Sequence, residues 1–308
     1  MNQAAGTRVE PIRRTTEIEE ITNLYFIHPL AGRLVPLFAR LRITPNVVSI
    51  VGMLFGILAA FAYYRYAELR FAITGFVLMI AWHVMDGADG QLARLTHSYS
   101  YFGKVLDGIS DNVTFLAVYA ALAMALRPKN GEWVYALVAL SAVCHAVQSA
   151  SYEVQRQEYE YLGRGKKPQE PPPRGSAQRD GDGPPVIRWL FDLLHRLFFA
   201  GLSFPTAGIS RKFRETMAAA LQRQPGQEAR FRQRYREILA PQLRRWSILS
   251  ANYRTLGIFI SALCKAPEYY FGFEIIGFTA ILAGLIWRQN ASHAVLLSLL
   301  QVDASGTA

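Results

Sequence analysis

Apolar and polar positions alternate along this chain in blocks, not residue by residue. Six apolar runs reach the roughly 20 residues that a helix needs to cross about 30 Å of hydrocarbon. They are residues 47–66, 69–93, 103–126, 133–152, 246–264 and 269–287, the last continuing toward Leu300. Backbone groups in lipid must be satisfied within their own segment, so the runs are read as helices and not strands. Ahead of the first run, Leu30, Leu34, Leu37, Phe38 and Leu41 share one helical face, while Arg33 and Arg40 fall elsewhere. That pattern predicts an amphipathic helix lying in the membrane interface. Thr44-Pro45-Asn46 then supplies turn chemistry at the membrane entrance.

The expected fold is an all-α integral membrane protein with six transmembrane helices. An N-terminal interfacial amphipathic helix precedes them, and a basic cytoplasmic insertion separates helices 4 and 5. The expected division is a polar N-terminal segment (1–28) and the interfacial helix with spans one to four (29–160). The insertion (161–245), spans five and six (246–300) and a tail (301–308) follow. The insertion opens with GRGKKPQEPPPRGSAQRDGDGPP, a Pro/Gly-rich charged stretch that reads as a disordered linker. VIRWLFDLLHRLFFAGL reads as interfacial, and SRKFRETMAAALQRQ and QEARFRQRYREILAPQLRRW as two basic amphipathic helices covering the cytoplasmic face.

Composition agrees with this reading. The 308 residues are 51% hydrophobic and 18% charged, against about 25% charged in ordinary soluble domains. The formal charge of +10 is concentrated: residues 154–245 hold 18 Lys and Arg against 9 Asp and Glu. Such a block beside apolar segments fits contact with anionic membrane lipids on the cytoplasmic side. No nucleic-acid partner is expected, because no recognition-helix or interleaved aromatic pattern accompanies the charge. Basic residues flanking the spans place both termini inside by the positive-inside rule. The expected location is a bacterial cytoplasmic membrane. Two cysteines, Cys144 and Cys264, lie in apolar runs and make no disulfide framework. The polar N-terminus has no apolar h-region, so no cleavable signal peptide is expected.

One stretch does not fit a purely structural account. Where the second run ends and the third begins, Asp86, Asp89, Asp107 and Asp111 stand at the membrane edge. Helical geometry puts Asp86, Asp89, Gly90 and Ala93 on one face, and Gly103, Asp107 and Asp111 in one stripe. A tight turn would bring the two faces together. Four ionised carboxylates in low dielectric call for cations, and ionisable residues in membrane segments are usually functional. Oxygen-only ligands select Mg²⁺, Mn²⁺ or Ca²⁺ over zinc, and four suffice for a two-metal clamp. Gly90, Ala93 and Gly103 leave room for a flat or bulky group, and Arg94 offers a phosphate-binding cation. The bland alternative pairs these acids with Arg94 and Lys104, but four acids against two bases leave it unbalanced.

The spacing D-x2-D-G-x2-A-R-x8-G-x3-D-x3-D, carried here by Asp86, Asp89, Gly90, Ala93, Arg94, Gly103, Asp107 and Asp111, resembles the signature of the CDP-alcohol phosphotransferase family. The resemblance implies a six-helix membrane enzyme, commonly a homodimer, with its site open to the cytoplasm. Such enzymes transfer the phosphoryl-alcohol group of a CDP-linked alcohol to a second alcohol and release CMP. It implies two Mg²⁺ ions, or Mn²⁺, held by the four aspartates. Asp86, Asp89 and Asp107 are then the main ligands, while Asp111 binds the second ion and serves as general base. Gly90 and Arg94 would contact the nucleotide or its phosphates, with Ser100 and Asn46 lining its pocket.

The expected activity is transfer of a phosphatidyl group from CDP-diacylglycerol to a small polar alcohol. The alternative is transfer of a phospho-headgroup from a CDP-headgroup donor to a lipid hydroxyl. A cation transporter or an inactive member of the family is the remote reading. No Ser, Cys or His stands at nucleophile spacing, so a single displacement is expected. Arg254, Lys104 and His145 are the acceptor candidates, Arg254 either binding a phosphate on the acceptor or neutralising the aspartates. His83 is read either as supporting the aspartates or as a hydrogen-bonded core histidine.

Overall fold

The computed structural model describes residues 17–98, 101–166, 211–219 and 226–305; within these, the side chains of 101, 102, 104, 105, 107 and 300–305 are left undescribed. The readings of 167–210 as a linker and an interfacial helix lie outside the described residues, as does Ser100. Every element among the described residues is helical.

A π-helical turn, Asn23–Ile27, leads into α1, His28–Arg40. Then come α2 (Pro45–Tyr63), α3 (Leu69–Thr96), α4 (Tyr101–Asn130) and α5 (Trp133–Arg164). After a helical stretch at 211–219 come α6 (Glu228–Trp246), α7 (Ala251–Leu263), α8 (Pro267–Phe273) and α9 (Thr279–Ser305). Thr44 is extended and Pro45 opens α2, as the turn chemistry predicts.

Five helical segments are long and apolar enough to cross a membrane: Pro45–Tyr63, Leu69–Thr96, Gly108–Asn130, Trp133–Arg164 and Pro267–Leu299. The run at 246–264 is different. Trp246 ends the basic helix α6, residues Ser247–Leu249 form a 3-10 turn, and Ser250 is extended. What remains is α7, 13 residues long, or about 20 Å at 1.5 Å per residue. Even so, α7 joins the two ends of the bundle. Ser250 at its start bonds Glu20 at 2.7 Å. Beyond its end, Glu268 pairs with Lys129 of α4 at 2.8 Å.

α2 packs against both α3 and α4. Its inner face is made of small residues. A Cβ at Gly52 would lie 3.1 Å from the Met85 Cβ, and one at Gly56 would overlap Thr114. Close approach of membrane helices needs such residues, because packing and not water exclusion holds them together. α1 lies on α3, with Ile27, Ala31 and Val35 buried against Val84, Met85, Ala88 and Leu92. Of the apolar face marked by the sequence, Leu30, Leu34 and Phe38 pack partly against this cluster, while Leu37 and Leu41 are exposed.

α6 folds over the end of α5. Arg232 donates to the carbonyls of Tyr161 and Leu162, at 2.9 and 3.0 Å, a cation capping a helix C-terminus. Tyr235, Leu239, Leu243 and Trp246 are buried in a second apolar cluster with Leu282 and Leu285 of α9. Cys264 is exposed and Cys144 half-buried; both are free thiols.

Candidate active site

The aspartates gather at one end of the bundle. Asp86 and Asp89 stand in the C-terminal half of α3, and Asp107 and Asp111 in the N-terminal part of α4. Asp107 is placed by its backbone alone. Asp89 is buried and accepts a hydrogen bond from the Ser49 hydroxyl of α2. The same hydroxyl lies 3.2 Å from the Pro45 carbonyl. Asp86 and Asp111 are half-buried.

The two aspartate helices are spaced by α2 and touch each other one turn further in. Trp82 precedes Asp86 by one turn and Phe115 follows Asp111 by one turn; their rings meet edge-on at 5.5 Å. Asp86 and Asp111 thus stand one turn outward of an aromatic contact between their two helices. Gly90 lies one turn beyond Asp86 on α3. The nearest group to a Cβ there would be the Arg94 guanidinium, at 3.4 Å, and no backbone or ring fills the space. Ala93 and Gly103 are half-buried, and Asn46 lies one turn before Ser49, also half-buried.

The structure places the acceptor candidates differently from one another. Lys104 opens α4, its side chain outside the described ones. Arg254, fully buried, and His145, half-buried, belong to one polar cluster that the sequence pattern did not show. Arg254 ion-pairs with Glu274 and donates to Gln148 Oε1 at 3.0 Å and to the Leu249 carbonyl at 3.4 Å. Glu274 also accepts from Tyr119, Ser141 and Tyr270. His145 Nδ1 lies 3.0 Å from the Tyr119 hydroxyl. Arg254 thus has Glu274 as its counter-ion, not the aspartates. His83 bonds Thr255 at 2.9 Å, a buried contact between α3 and α7.

Two functional-looking residues escaped the sequence reading. Ser49 looked like one more small residue in an apolar helix, although its i+3 spacing from Asn46 put both on one face. Glu274 is a carboxylate in an apolar run, and the arginine in the preceding run was the available signal for it.

The donor chemistry fits a hard divalent cation: carboxylate oxygens without sulfur or imidazole, one of them oriented by a neighbouring hydroxyl. Among the described residues no three His, Cys, Asp or Glu side chains converge on one point, and the Asp107 carboxylate lies outside that description.

Five helices of membrane length, two of them carrying aspartates at one end of the bundle, define an integral membrane protein with an acidic cluster at the membrane edge. Residues 42–167 match the sequence model of the CDP-alcohol phosphatidyltransferase family, and this segment is a domain of that family. The chain is 33% identical over 86 residues to the archaetidylinositol phosphate synthase of Pyrococcus horikoshii, covering 28% of this chain and 44% of that protein. It is 33% identical over 97 residues to the bifunctional IPC transferase and DIPP synthase of Aquifex aeolicus, covering 31% of this chain and 22% of that one. The matched stretch therefore spans less than half of either relative. A transferase domain of phospholipid synthesis is the class these matches support.

Proposed function

We propose that this protein transfers a phosphatidyl group from CDP-diacylglycerol to a small polar alcohol and releases CMP. The observation that carries the reading is the placement of the aspartates at one end of the bundle: Asp86 and Asp89 on one helix, Asp111 on the other, with Trp82 and Phe115 touching one turn further in; the space between these two helices is the proposed cleft. The printed name of the Pyrococcus relative, an inositol phosphate lipid synthase, favours a phosphorylated polyol as the acceptor.

Asp86, Asp89, Asp107 and Asp111 would hold two Mg²⁺ or Mn²⁺ ions, which neutralise phosphate charge when bound. Asp111 accepts the hydroxyl proton of the acceptor; it is a modest base whose value lies in orienting that hydroxyl. The attacking oxygen forms its bond to the lipid-linked phosphorus as the bond to the CMP phosphate oxygen breaks. Gly90 lets the nucleotide approach the backbone, and Arg94 pairs with its phosphates. Asn46, Ala93 and Gly103 line the nucleotide side in this reading, and Ser100 and Lys104 remain the sequence's candidates for the nucleotide and for an anionic acceptor. Arg254 and His145, beyond Phe115, shape the cleft from beneath. An amphipathic donor and a water-soluble acceptor explain a site at the membrane edge. In this reading α7 completes a sixth crossing, both termini and the cleft face the cytoplasm, and the protein works as a homodimer in a bacterial inner membrane.

The test is CMP release by the purified protein in lipid nanodiscs with Mg²⁺ and CDP-diacylglycerol. Glycerol phosphate, inositol, inositol phosphate, serine and choline form the acceptor panel, with Asp111→Asn alongside. Release with one acceptor, absent in the variant, supports the reading. CMP binding without release across the panel moves the assignment to a CDP-headgroup donor and a lipid hydroxyl. No CMP binding at all overturns it.

A further inference from the structure

Most arginines described on α6 are committed to protein groups. Arg232 caps α5 and pairs with Glu228. Arg236 lies 3.9 Å from the Glu17 carboxylate, and Arg244 donates to the Glu17 carbonyl at 2.8 Å. Arg245 is exposed and has no acidic partner among the described residues; the same is true of Arg288 on α9. These two arginines converge on one open cavity of ≈ 270 Å³ between α6 and α9.

The cavity is a trough between two helical stripes. Ile238, Gln242 and Arg245 recur at i, i+4 and i+7 on α6. Arg288, Ser292 and Val295 recur at i, i+4 and i+7 on α9, with Trp287 at the rim. Its polar groups are donors suited to a phosphate, and its flank is apolar: Trp287 and Val295 are 71% and 51% exposed. Arg288 follows a tryptophan late in the last apolar helix, Pro267–Leu299. Tryptophan marks the membrane–water interface, and an arginine there keeps its guanidinium at headgroup level. The ligand this trough suits is negative at one end and apolar at the other. A guanidinium pair binds phosphate oxygens in forked geometry, and basic pockets between membrane helices take anionic headgroups in this way.

We propose that the Arg245–Arg288 trough binds the phosphodiester headgroup of an anionic phospholipid, with an acyl chain along Trp287 and Val295. Neither aspartate helix lines the trough, so it is separate from the transferase cleft and independent of that assignment. Its occupant docks α6 onto the last apolar helix and ties the basic segment to the membrane's charge.

The experiment is native mass spectrometry of the full chain in detergent, titrated with phosphatidylglycerol or phosphatidylcholine. It compares wild type with Arg245→Gln/Arg288→Gln, and with Arg65→Gln/Arg70→Gln, which removes equal charge at the other end of the bundle. Wild type and the Arg65/Arg70 variant should each retain one phosphatidylglycerol about thirtyfold more tightly than phosphatidylcholine, as two surface arginines would give. The Arg245/Arg288 variant should lose that preference. Arg245→Lys and Arg288→Lys, which keep the charge without the fork, should fall between. Equal phosphatidylglycerol retention in wild type and the Arg245/Arg288 variant overturns the proposal. So does complete displacement of the lipid by millimolar inorganic phosphate, which would leave only a free-anion site.

Discussion

Ser49 on α2 donates its hydroxyl proton to Asp89 on α3, joining positions 40 residues apart. This hydrogen bond fixes one carboxylate of the proposed site from a third helix. Groups that orient a ligating carboxylate typically alter metal affinity or activity by 10–100-fold when removed, on the order given by other metal sites. Ser49→Ala should therefore raise the Mg²⁺ concentration needed for half-maximal CMP release by about tenfold or more. Thermal stability should change little, because the α2–α3 contact at Gly52 and Met85 is untouched. An unchanged Mg²⁺ dependence would remove Ser49 from the site.

Gly56 controls how closely α2 approaches the helix that carries Asp111. A Cβ at position 56 would overlap Thr114, which is fully buried and three residues beyond Asp111. Overpacking of this kind costs about 1–3 kcal/mol. Gly56→Ala should lower the melting temperature and the activity together, and adding Thr114→Ala should restore part of both. Melting in detergent with paired activity assays checks it; a silent Gly56→Ala would mean that α4 can shift freely.

The Arg254–Glu274 pair has no exposed surface. Removing one partner of a buried pair leaves an uncompensated charge and costs about 3–5 kcal/mol, whereas apolar replacement of both is often near neutral. Glu274→Leu alone should destabilise the protein more than Glu274→Leu with Arg254→Met. Unfolding in mixed micelles measures the cycle, and a double variant no better than the single one would refute the pairing.

Glu20 predicts a pH dependence for the N-terminal segment. Burial raises its carboxyl above the ordinary value, outweighing the bonds from Thr22, Ser250 and Asn252 that pull it down. The folded state then holds a proton more tightly than the unfolded chain. The stabilisation is complete below about pH 4.3 and is lost as pH rises through the folded value. Proteolysis near residues 17–27 should increase across that window, and Glu20→Gln should flatten the increase. A rate that falls with rising pH would reverse the sign and refute the account.

The legible and illegible parts of this protein divide along physical lines. Five membrane-length helices follow from apolar run length, and the turn at Thr44 and Pro45 from local stereochemistry. The start of the run at 246–264 was illegible because hydropathy does not register where an amphipathic helix stops. Trp246 and Leu249 are apolar because they pack into the cluster beneath α6, while α7 starts only at Ala251. In α1, the residues that α3 selected for its own contact, Ala31 and Val35, lie outside the leucine face that the sequence pattern marked.

For the site, the spacing of the four aspartates, Gly90 and Arg94 was readable because helical periodicity fixes which of them share a face. That spacing implies the chemistry before any contact is known. Tertiary structure decided what no single helix contains: that α2 stands beside both aspartate helices, that Ser49 reaches Asp89, and that Arg254 is matched by Glu274. Those contacts join residues far apart in the chain, where periodicity carries no information and only side-chain shape and the cost of a lone buried charge select the partner.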